Sequence, residues 1–267
     1  MAHLLWLIGQ ADDIGSKLQV IWLSLKLALA KRFGLAWKSG GMISLNMAGN
    51  KIWMRTADAP SLTEIYSDIF RGEYGAHPAF IPREGDTILD LGANIGLYSL
   101  WARRTNKSGK MISVEASPLS FEILEKNIKT NGLINVTAIG KAVLDRSGST
   151  QFEVVPDVSA IGAVNIRDQQ RPWLADKRIK RLRVPATTID EIVRKAKLKR
   201  IDMIKMDIEA SELAALKGAK RTLKNTRGLV IEFHGAELKK EVIEFLRKCG
   251  FKLVLKVRQE NVGYFTK

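Results

Sequence analysis

The chain of 267 residues carries 43 lysines and arginines against 28 acidic residues, a formal net charge of +15, and 46% of its residues are hydrophobic. This hydrophobic content is typical of a folded protein and excludes an intrinsically disordered chain. A single cysteine, Cys249, excludes an internal disulfide and a cysteine-based metal site, so we expect the protein in a reducing, cytoplasmic compartment.

The start of the chain, MAHLLWLIGQADDIG, lacks the features of a signal peptide, because its apolar part is short, follows no basic residue and precedes two acids. Residues 18–30 are apolar almost all round, but a membrane-spanning helix needs about 20 such residues. We predict a helix buried against the rest of the protein. The alternative is a peripheral helix at the inner membrane surface, whose anchors and headgroup contacts would be Trp6, Trp22, Trp37, Lys17, Lys26, Lys31 and Arg32.

A β-hairpin is predicted next, because residues 42–47 and 51–55 flank the turn sequence Ala48-Gly49-Asn50. A helix is predicted over residues 62–71. These elements form the expected N-terminal extension of helices and a hairpin, residues 1–80, which is also a candidate lid.

From Thr87 onward, β-rich runs alternate with helical segments, which predicts an α/β fold with a mostly parallel sheet and helices on both faces. The predicted strands are TILDL, MISVEA, VTAIGKAV, IDMIKMDI, GLVIEF and FKLVLKV, and the predicted helices are 97–105, 119–130, 212–224 and 237–248. We assign residues 81–267 to this main domain. Ligands of such sheets bind at the carboxyl ends of the strands.

The first of these strands ends in the pattern D-x-G-x-N-x-G, formed by Asp90, Gly92, Asn94 and Gly96. The pattern departs from the G-x-G-x-x-G of dinucleotide-binding loops, and an acid before the glycines would repel a pyrophosphate. A cationic, phosphate-free nucleoside such as S-adenosylmethionine fits better. Gly92 allows close approach of the ligand, Asn94 tolerates positive φ, and Gly96 opens the next helix. The alternative is a plain strand-to-helix turn.

Glu115 ends the second predicted strand, about 20 residues beyond the glycines. A carboxylate there can accept hydrogen bonds from both hydroxyls of a ribose, each worth about 1.5–3 kcal/mol. NAD and S-adenosylmethionine share this feature, so Glu115 indicates an adenosine ligand without choosing between them.

Acids also end the strand IDMIKMDI, where Asp207 and Glu209 alternate and therefore point the same way. We predict that Asp207 faces the same crevice as Asp90. Glu209 and Glu212 are three residues apart, as on the first turn of a helix, and for Glu212 we predict only an interaction with the helix dipole.

Taken in order, these motifs resemble the FkbM family of S-adenosylmethionine-dependent methyltransferases, from about residue 68 to residue 234. They are DLGANIGLYSL, VEASPLSFEILEKNIKTNGL, GKAVLDRSGSTQFEV, VPATTIDEI, IDMIKMDIEASELAALKGAKRTL and LVIEFH. The resemblance implies a class I (Rossmann-like) methyltransferase fold with a seven-stranded sheet. One departure is Ala210-Ser211, which stands where the family usually has Gly-Ala before the glutamate.

The resemblance also implies the placement of the cofactor around residues of three loops. The loop after the first strand, with Asp90, Gly92, Ala93, Asn94, Gly96 and Tyr98, would hold the methionine end. Glu115 would bind the ribose, and Ala116, Ser117 and Ala142 would surround the adenine. Asp207 and Glu209 would lie beside the methyl group.

Methyl transfer to an alcohol needs a base that takes the hydroxyl proton, and we expect an O-methyltransferase. The candidate bases are Asp207 and Glu209 at the end of one strand, and Glu232 and His234, which lie two residues apart at the end of the strand LVIEF. His77 is a weaker candidate. The acids and His234 could also hold a divalent metal ion, but no helical pair of histidines supports one, and we predict no metal site.

Residues 165–200 carry twelve basic residues against four acids, and KRIKRLR spans residues 177–183. A solvated face is the ordinary explanation. As a binding surface, the run could contact RNA, an acidic glycan or an anionic membrane surface. It favours an acidic or phosphorylated saccharide, including a lipid-linked one, over RNA, because near the run only Trp173 could stack on bases. The predicted acceptor is therefore a small metabolite or a saccharide. An RNA methyltransferase and a non-catalytic adenosine-binding or membrane-attached scaffold are the alternatives.

Overall fold

The computed structural model describes residues 2–33, 41–155, 158–164, 178–256 and 261–267. The helices in these ranges are α1 (Ala2–Gln10), α2 (Ile14–Phe33), α3 (Ala59–Phe70), α4 (Leu97–Ala102), α5 (Pro118–Thr130), α6 (Ile189–Lys195), α7 (Glu212–Lys217) and α8 (Ala236–Lys248). The strands are β1 (Met42–Met47), β2 (Asn50–Arg55), β3 (Ile88–Leu91), β4 (Met111–Glu115), β5 (Val136–Gly140), β6 (Ala142–Val143), β7 (Gly148–Val155), β8 (Val158–Ala163), β9 (Lys180–Thr187), β10 (Ile201–Met206), β11 (Thr226–Glu232), β12 (Lys252–Lys256) and β13 (Val262–Thr266).

The main sheet has seven strands in the order β12-β13-β11-β10-β3-β4-β5. β11, β10, β3, β4 and β5 run parallel to one another, and β13 runs antiparallel between β11 and β12. Every residue of β3, β4 and β10 is buried, as expected for strands covered on both faces. The predicted α/β fold with a mostly parallel, seven-stranded sheet is confirmed. The sequence did not predict β13.

The N-terminal hairpin forms as predicted, with β1 antiparallel to β2. The side chain of Asn127 in α5 is fully buried and links strand β2 to the loop that follows β3. The Asn127 side chain accepts a hydrogen bond from Trp53 N at 2.7 Å and donates to Trp53 O at 3.0 Å and Ile95 O at 2.8 Å. One hydrophobic cluster runs from Ile52 in the hairpin to Ile88 in β3, so the extension packs directly on the main sheet.

The segment predicted as a buried helix is part of α2, and only one face of α2 is buried. Val20 and Leu23 are 3% and 4% exposed, whereas Leu18 and Leu25 on another face are 61% and 57% exposed. The prediction of burial is therefore wrong for that exposed face. Among the described residues, no helix is both long and apolar enough to cross a membrane.

The tryptophans proposed as anchors of this helix differ in their surroundings. Trp22 is exposed on α2, whereas the Trp6 ring packs beside Tyr66 and lies 4.3 Å from the guanidinium carbon of Arg71. Trp37 lies outside the described residues.

A second sheet, not predicted from the sequence, has the order β6-β9-β7-β8. β9 lies parallel to β6 and antiparallel to β7, whose other edge pairs with β8. The end of the basic run lies on β9, where Arg181 forms an ion pair with Glu153 of β7 at 3.0 Å. Residues 165–177, including Trp173 and the start of KRIKRLR, lie outside the described residues.

Candidate active site

A cavity of about 220 Å³ lies at the carboxyl ends of β3, β4, β10 and β11, where the fold predicts a ligand. The extension and the second sheet complete its wall. Ile65, Ile69 and Tyr74 line it from the extension, and Phe152, Gly162 and Val164 line it from the second sheet. Three separate parts of the chain therefore build one site.

Most of the residues that the sequence predicted for the cofactor line this cavity together. They are Gly92, Ala93, Asn94, Tyr98, Glu115, Ala116, Ser117, Ala142 and Asp207, and the candidate bases Glu209 and His234 line it too. Two predicted residues lie outside the lining. Asp90 is fully buried behind the loop, and Gly96 begins α4 with a φ of 92°. The Tyr98 hydroxyl donates to Met203 Sδ at 3.2 Å.

The loop after β3 contacts the loop after β10 through main-chain atoms. Gly92 has a φ of 75°, and a Cβ at this position would lie 1.7 Å from the Asp207 carbonyl oxygen. Glycine is therefore required here both for the backbone angle and for the space. Asn94 also has positive φ, at 51°, as its residue type predicts.

Glu115 is held in place by the main chain on both sides. Its Oε2 accepts a hydrogen bond from Asn94 N and its Oε1 accepts one from Ser117 N, each at 2.8 Å. Each carboxylate oxygen has a second lone pair, so the group can still accept two hydroxyl hydrogen bonds. Burial raises the pKa of Glu115 to about 7, against the lowering effect of these two N–H donors.

Lys205, a residue that the sequence did not indicate, lies below the cavity loops and is 4% exposed. Its Nζ donates to Gly92 O at 2.8 Å and lies 3.4 Å from Asp90 Oδ1 and 3.7 Å from Asp207 Oδ2. Burial opposes the charge of Lys205, but Asp90, Asp207 and Glu232 outweigh it and raise the pKa. Asp90 is fully buried beside this cation and does not line the cavity.

His234 lies among three carboxylates. Its Nδ1 donates to Glu212 Oε1 at 2.9 Å, and its Nε2 lies 3.6 Å from Asp207 Oδ1 and 3.5 Å from Glu209 Oε2. Burial disfavours the charged imidazole, but the hydrogen bond to Glu212 and the charges of Glu209 and Asp207 raise the pKa of His234 to about 10. At neutral pH His234 is therefore a cation and is not available to accept a proton.

Glu212 has a further role besides the predicted interaction with the helix dipole, because it contacts His234. It begins α7 as predicted, but it is fully buried and orients the His234 ring. Glu209 is not on the first turn of this helix, as had been expected, because it lies before α7 with a φ of 52°. Ala210, which stands where the family usually has glycine, has a φ of 70°, a strain of about 1–2 kcal/mol.

Tyr74, from the extension, reaches the same acids. Its hydroxyl donates to Glu232 Oε2 at 2.9 Å and lies 3.5 Å from Asp207 Oδ2. His77 does not line the cavity, since its Nδ1 accepts from Ala79 N and its ring packs on Phe80. A tyrosine, rather than the predicted histidine, is thus the contribution of this segment to the site.

Asp207, Glu232 and His234 offer ligand atoms within 4.8 Å of one another, a spacing that could hold a divalent ion. The same groups already surround the Lys205 ammonium and the Tyr74 hydroxyl, and His234 carries a proton. A metal ion would have to displace these contacts, so the arrangement favours a metal-free site.

Residues 90–253, more than half of the chain, match the family model described as the methyltransferase FkbM domain. The chain belongs to the FkbM methyltransferase family. Members of this family use S-adenosylmethionine as the methyl donor, so the predicted cofactor is confirmed.

Three curated relatives of this chain are methyltransferases. Methyltransferase sdnD of Sordaria araneosa is 24% identical over 66% of this chain and 73% of its own. The 31-O-demethyl-FK506 methyltransferase FkbM of Streptomyces tacrolimicus is 23% identical over 71% and 82%. The hexuronic acid methyltransferase AglP of Haloferax volcanii is 23% identical over 62% of this chain and 63% of its own, slightly less than two thirds.

Among solved structures, the fibrillarin of Aeropyrum pernix with bound S-adenosyl-L-methionine is a distant likeness. It is 13% identical, with a TM-score of 0.45, over 86% of this chain and 84% of its own.

We expect the affinity for S-adenosylmethionine to fall as the pH decreases through about 7, because protonation of Glu115 removes a ribose acceptor. If only the carboxylate binds, Kd rises about tenfold per pH unit below this pKa. Glu115→Gln should weaken binding by about 1.5–3 kcal/mol and flatten the pH dependence. Isothermal titration calorimetry at a series of pH values measures both effects. Glu122→Gln, at an exposed position of α5, is the matched control. An unchanged Kd for Glu115→Gln contradicts the ribose role.

Proposed function

We propose that this protein transfers a methyl group from S-adenosylmethionine to a hydroxyl oxygen of a small metabolite or sugar. The observation that carries the proposal is the position of Asp207, Glu209 and Glu232 in the same cavity as the glycine loop and Glu115. When bound, the cofactor supplies a methyl group on a positively charged sulfur. The loop at Gly92–Asn94 would hold its methionine end, Glu115 the ribose, and Ala116, Ser117 and Ala142 the adenine.

The residues present fit such a cofactor. Gly92, Ala93 and Asn94 line the cavity, and Glu115 has free acceptor capacity in a buried position. The carboxylates of Asp207, Glu209 and Glu232 suit a ligand with positive charge and would repel a phosphate.

We assign the role of general base to Asp207, whose carboxylate is 29% exposed at the cavity. His234 was an equal candidate in the sequence, but its protonated ring cannot take a further proton at neutral pH. Its role is instead to position Asp207 and Glu209, while Tyr74 positions Glu232 and Asp207. A hydroxyl that binds Asp207 within hydrogen-bond distance would give up its proton as the new bond to oxygen forms.

Two relatives support an oxygen acceptor on a small molecule or sugar. One is named for a hexuronic acid and the other for the 31-O position of FK506. The carboxylates around Asp207 disfavour an anionic group next to the reacting hydroxyl. An acidic acceptor would therefore present a neutral hydroxyl to Asp207 and keep its own charge outside the cavity.

The test is transfer of labelled methyl groups from S-adenosylmethionine to a cell extract that is then separated into RNA, glycolipid and small molecules. We expect the label in the glycolipid or small-molecule fraction, in an ether that resists mild alkali. Label in RNA would support the RNA methyltransferase alternative. Label that alkali releases would indicate a carboxyl ester and overturn the assignment to a hydroxyl. Cofactor binding without any transfer would support the non-catalytic scaffold.

A further inference from the structure

A row of large hydrophobic side chains is exposed along α2, and we name it the α2 stripe. Its members and their exposed fractions are Ile14 76%, Leu18 61%, Trp22 51%, Leu25 57%, Leu29 54% and Phe33 66%. They are spaced four, four, three, four and four residues apart, so they share one face of a helix about 30 Å long. A row this long is unusual on the surface of a soluble domain, where exposed apolar residues are mostly scattered.

The α2 stripe points outward because the opposite face of the helix is fixed to the hairpin. Val20 and Leu23 are buried in the core, and Ser16 Oγ accepts a hydrogen bond from Asn46 N at 2.8 Å. The helix is thus already folded and oriented, so binding through the stripe would not require it to fold first.

The charges on α2 indicate which kind of partner the α2 stripe binds. Residues 14–33 contain four basic residues, Lys17, Lys26, Lys31 and Arg32, and no acid. At 100° per residue, Lys17 and Lys26 lie on either side of the stripe. The acids just before the helix face other groups, since Asp12 accepts from Gly49 N and Asp13 accepts from Ser16 and Asn46.

An apolar face bordered by cations matches the boundary between acyl chains and anionic headgroups. A second copy of the chain matches less well. Two α2 helices packed along their stripes would bring like charges together, and neither helix offers a carboxylate to pair with them.

We propose that the α2 stripe is a membrane-binding surface that lies in the interface of an anionic bilayer, with Trp22 at headgroup level and Lys17 and Lys26 on the lipid phosphates. This binding does not depend on the proposed acceptor, because the stripe contributes no residue to the cavity.

The experiment is co-sedimentation of the full chain with vesicles of phosphatidylcholine alone and of phosphatidylcholine mixed with phosphatidylglycerol. We expect binding to the mixed vesicles and much weaker binding to phosphatidylcholine. Leu18→Glu/Leu25→Glu should bind the mixed vesicles at least about tenfold more weakly. Lys17→Gln/Lys26→Gln should lose about fivefold per cation on mixed vesicles only.

The matched control is Ile134→Glu/Val254→Glu, which makes the same change of charge at apolar positions that are 91% and 40% exposed elsewhere on the surface. It should bind like the wild type. Circular dichroism and the Kd for S-adenosylmethionine show that each variant is folded.

Equal binding by the wild type and Leu18→Glu/Leu25→Glu overturns the proposal. So does a wild type that does not sediment with either vesicle. If that wild type is also a dimer by analytical ultracentrifugation and Leu18→Glu/Leu25→Glu is a monomer, the occupant of the stripe is a second copy of the chain.

Discussion

Asp207→Asn is expected to lower the rate of methyl transfer at saturating cofactor about 100- to 10,000-fold, the range of a general base. Asparagine keeps the shape of the side chain and its contact distance to His234, but it cannot accept the hydroxyl proton. The effect should appear in kcat, while the Kd for S-adenosylmethionine changes much less. Stopped assays with labelled cofactor measure kcat, and calorimetry measures the Kd for S-adenosylmethionine.

Comparison with His234→Gln tests whether Asp207 or His234 is the base. We expect His234→Gln to lose less activity, because in our assignment it disturbs the positions of Asp207 and Glu209 and leaves the base itself in place. If His234 were the base, His234→Gln would be as damaging as Asp207→Asn, and the wild-type rate would climb as the pH approaches about 10. Glu237→Gln, which removes a carboxylate that is 84% exposed, is the charge control and should be fully active. Full activity of a variant with alanine at both Asp207 and His234 would exclude both residues as the base.

Lys205→Met is expected to lower the free energy of unfolding by about 3–5 kcal/mol, because it leaves the fully buried Asp90 without its cation. Ser99 still donates to Asp90 Oδ2 at 2.8 Å, but a neutral donor compensates a buried charge only in part. Urea unfolding followed by circular dichroism measures the change, with the slope m checked for constancy.

The double variant Lys205→Met/Asp90→Asn removes the orphaned charge. It should be more stable than the sum of the two single changes predicts, since the two side chains interact directly. Lys240→Met removes a surface ion pair with Glu237 and should change stability little. Strict additivity of Lys205→Met and Asp90→Asn would contradict a coupled pair.

The position of the glycine loop, Glu115 and Asp207 around one cavity could be predicted because the sequence signals for it are local. The glycines, Asn94 and the acids lie directly after buried apolar strands, and parallel strands bring their carboxyl ends to one edge. Asp207 and Glu232 could be placed together for the same reason, since β10 pairs with β11. Family motifs then supplied the choice of cofactor.

The rest of the site depends on contacts between distant parts of the chain. Lys205 looks like any basic residue in a strand, and only the folded sheet shows that it is buried against Asp90. Tyr74 meets Glu232 across 158 positions of sequence. In the sequence, an interaction with the helix dipole explains the position of Glu212 equally well. Only the folded structure shows that Glu212 contacts His234. No periodicity in the sequence encodes such pairs.

The contact between Gly92 and the Asp207 carbonyl also limits how this site can evolve. A side chain at position 92 would meet a main-chain oxygen, which every amino acid at position 207 carries. A second substitution can often relieve a clash between two side chains, but no exchange at position 207 removes its carbonyl. A genetic screen for suppressors of Gly92→Ala should therefore yield reversion to glycine in preference to compensating changes at position 207. No sequence of single substitutions at positions 92 and 207 can therefore replace this glycine without moving one of the two loops.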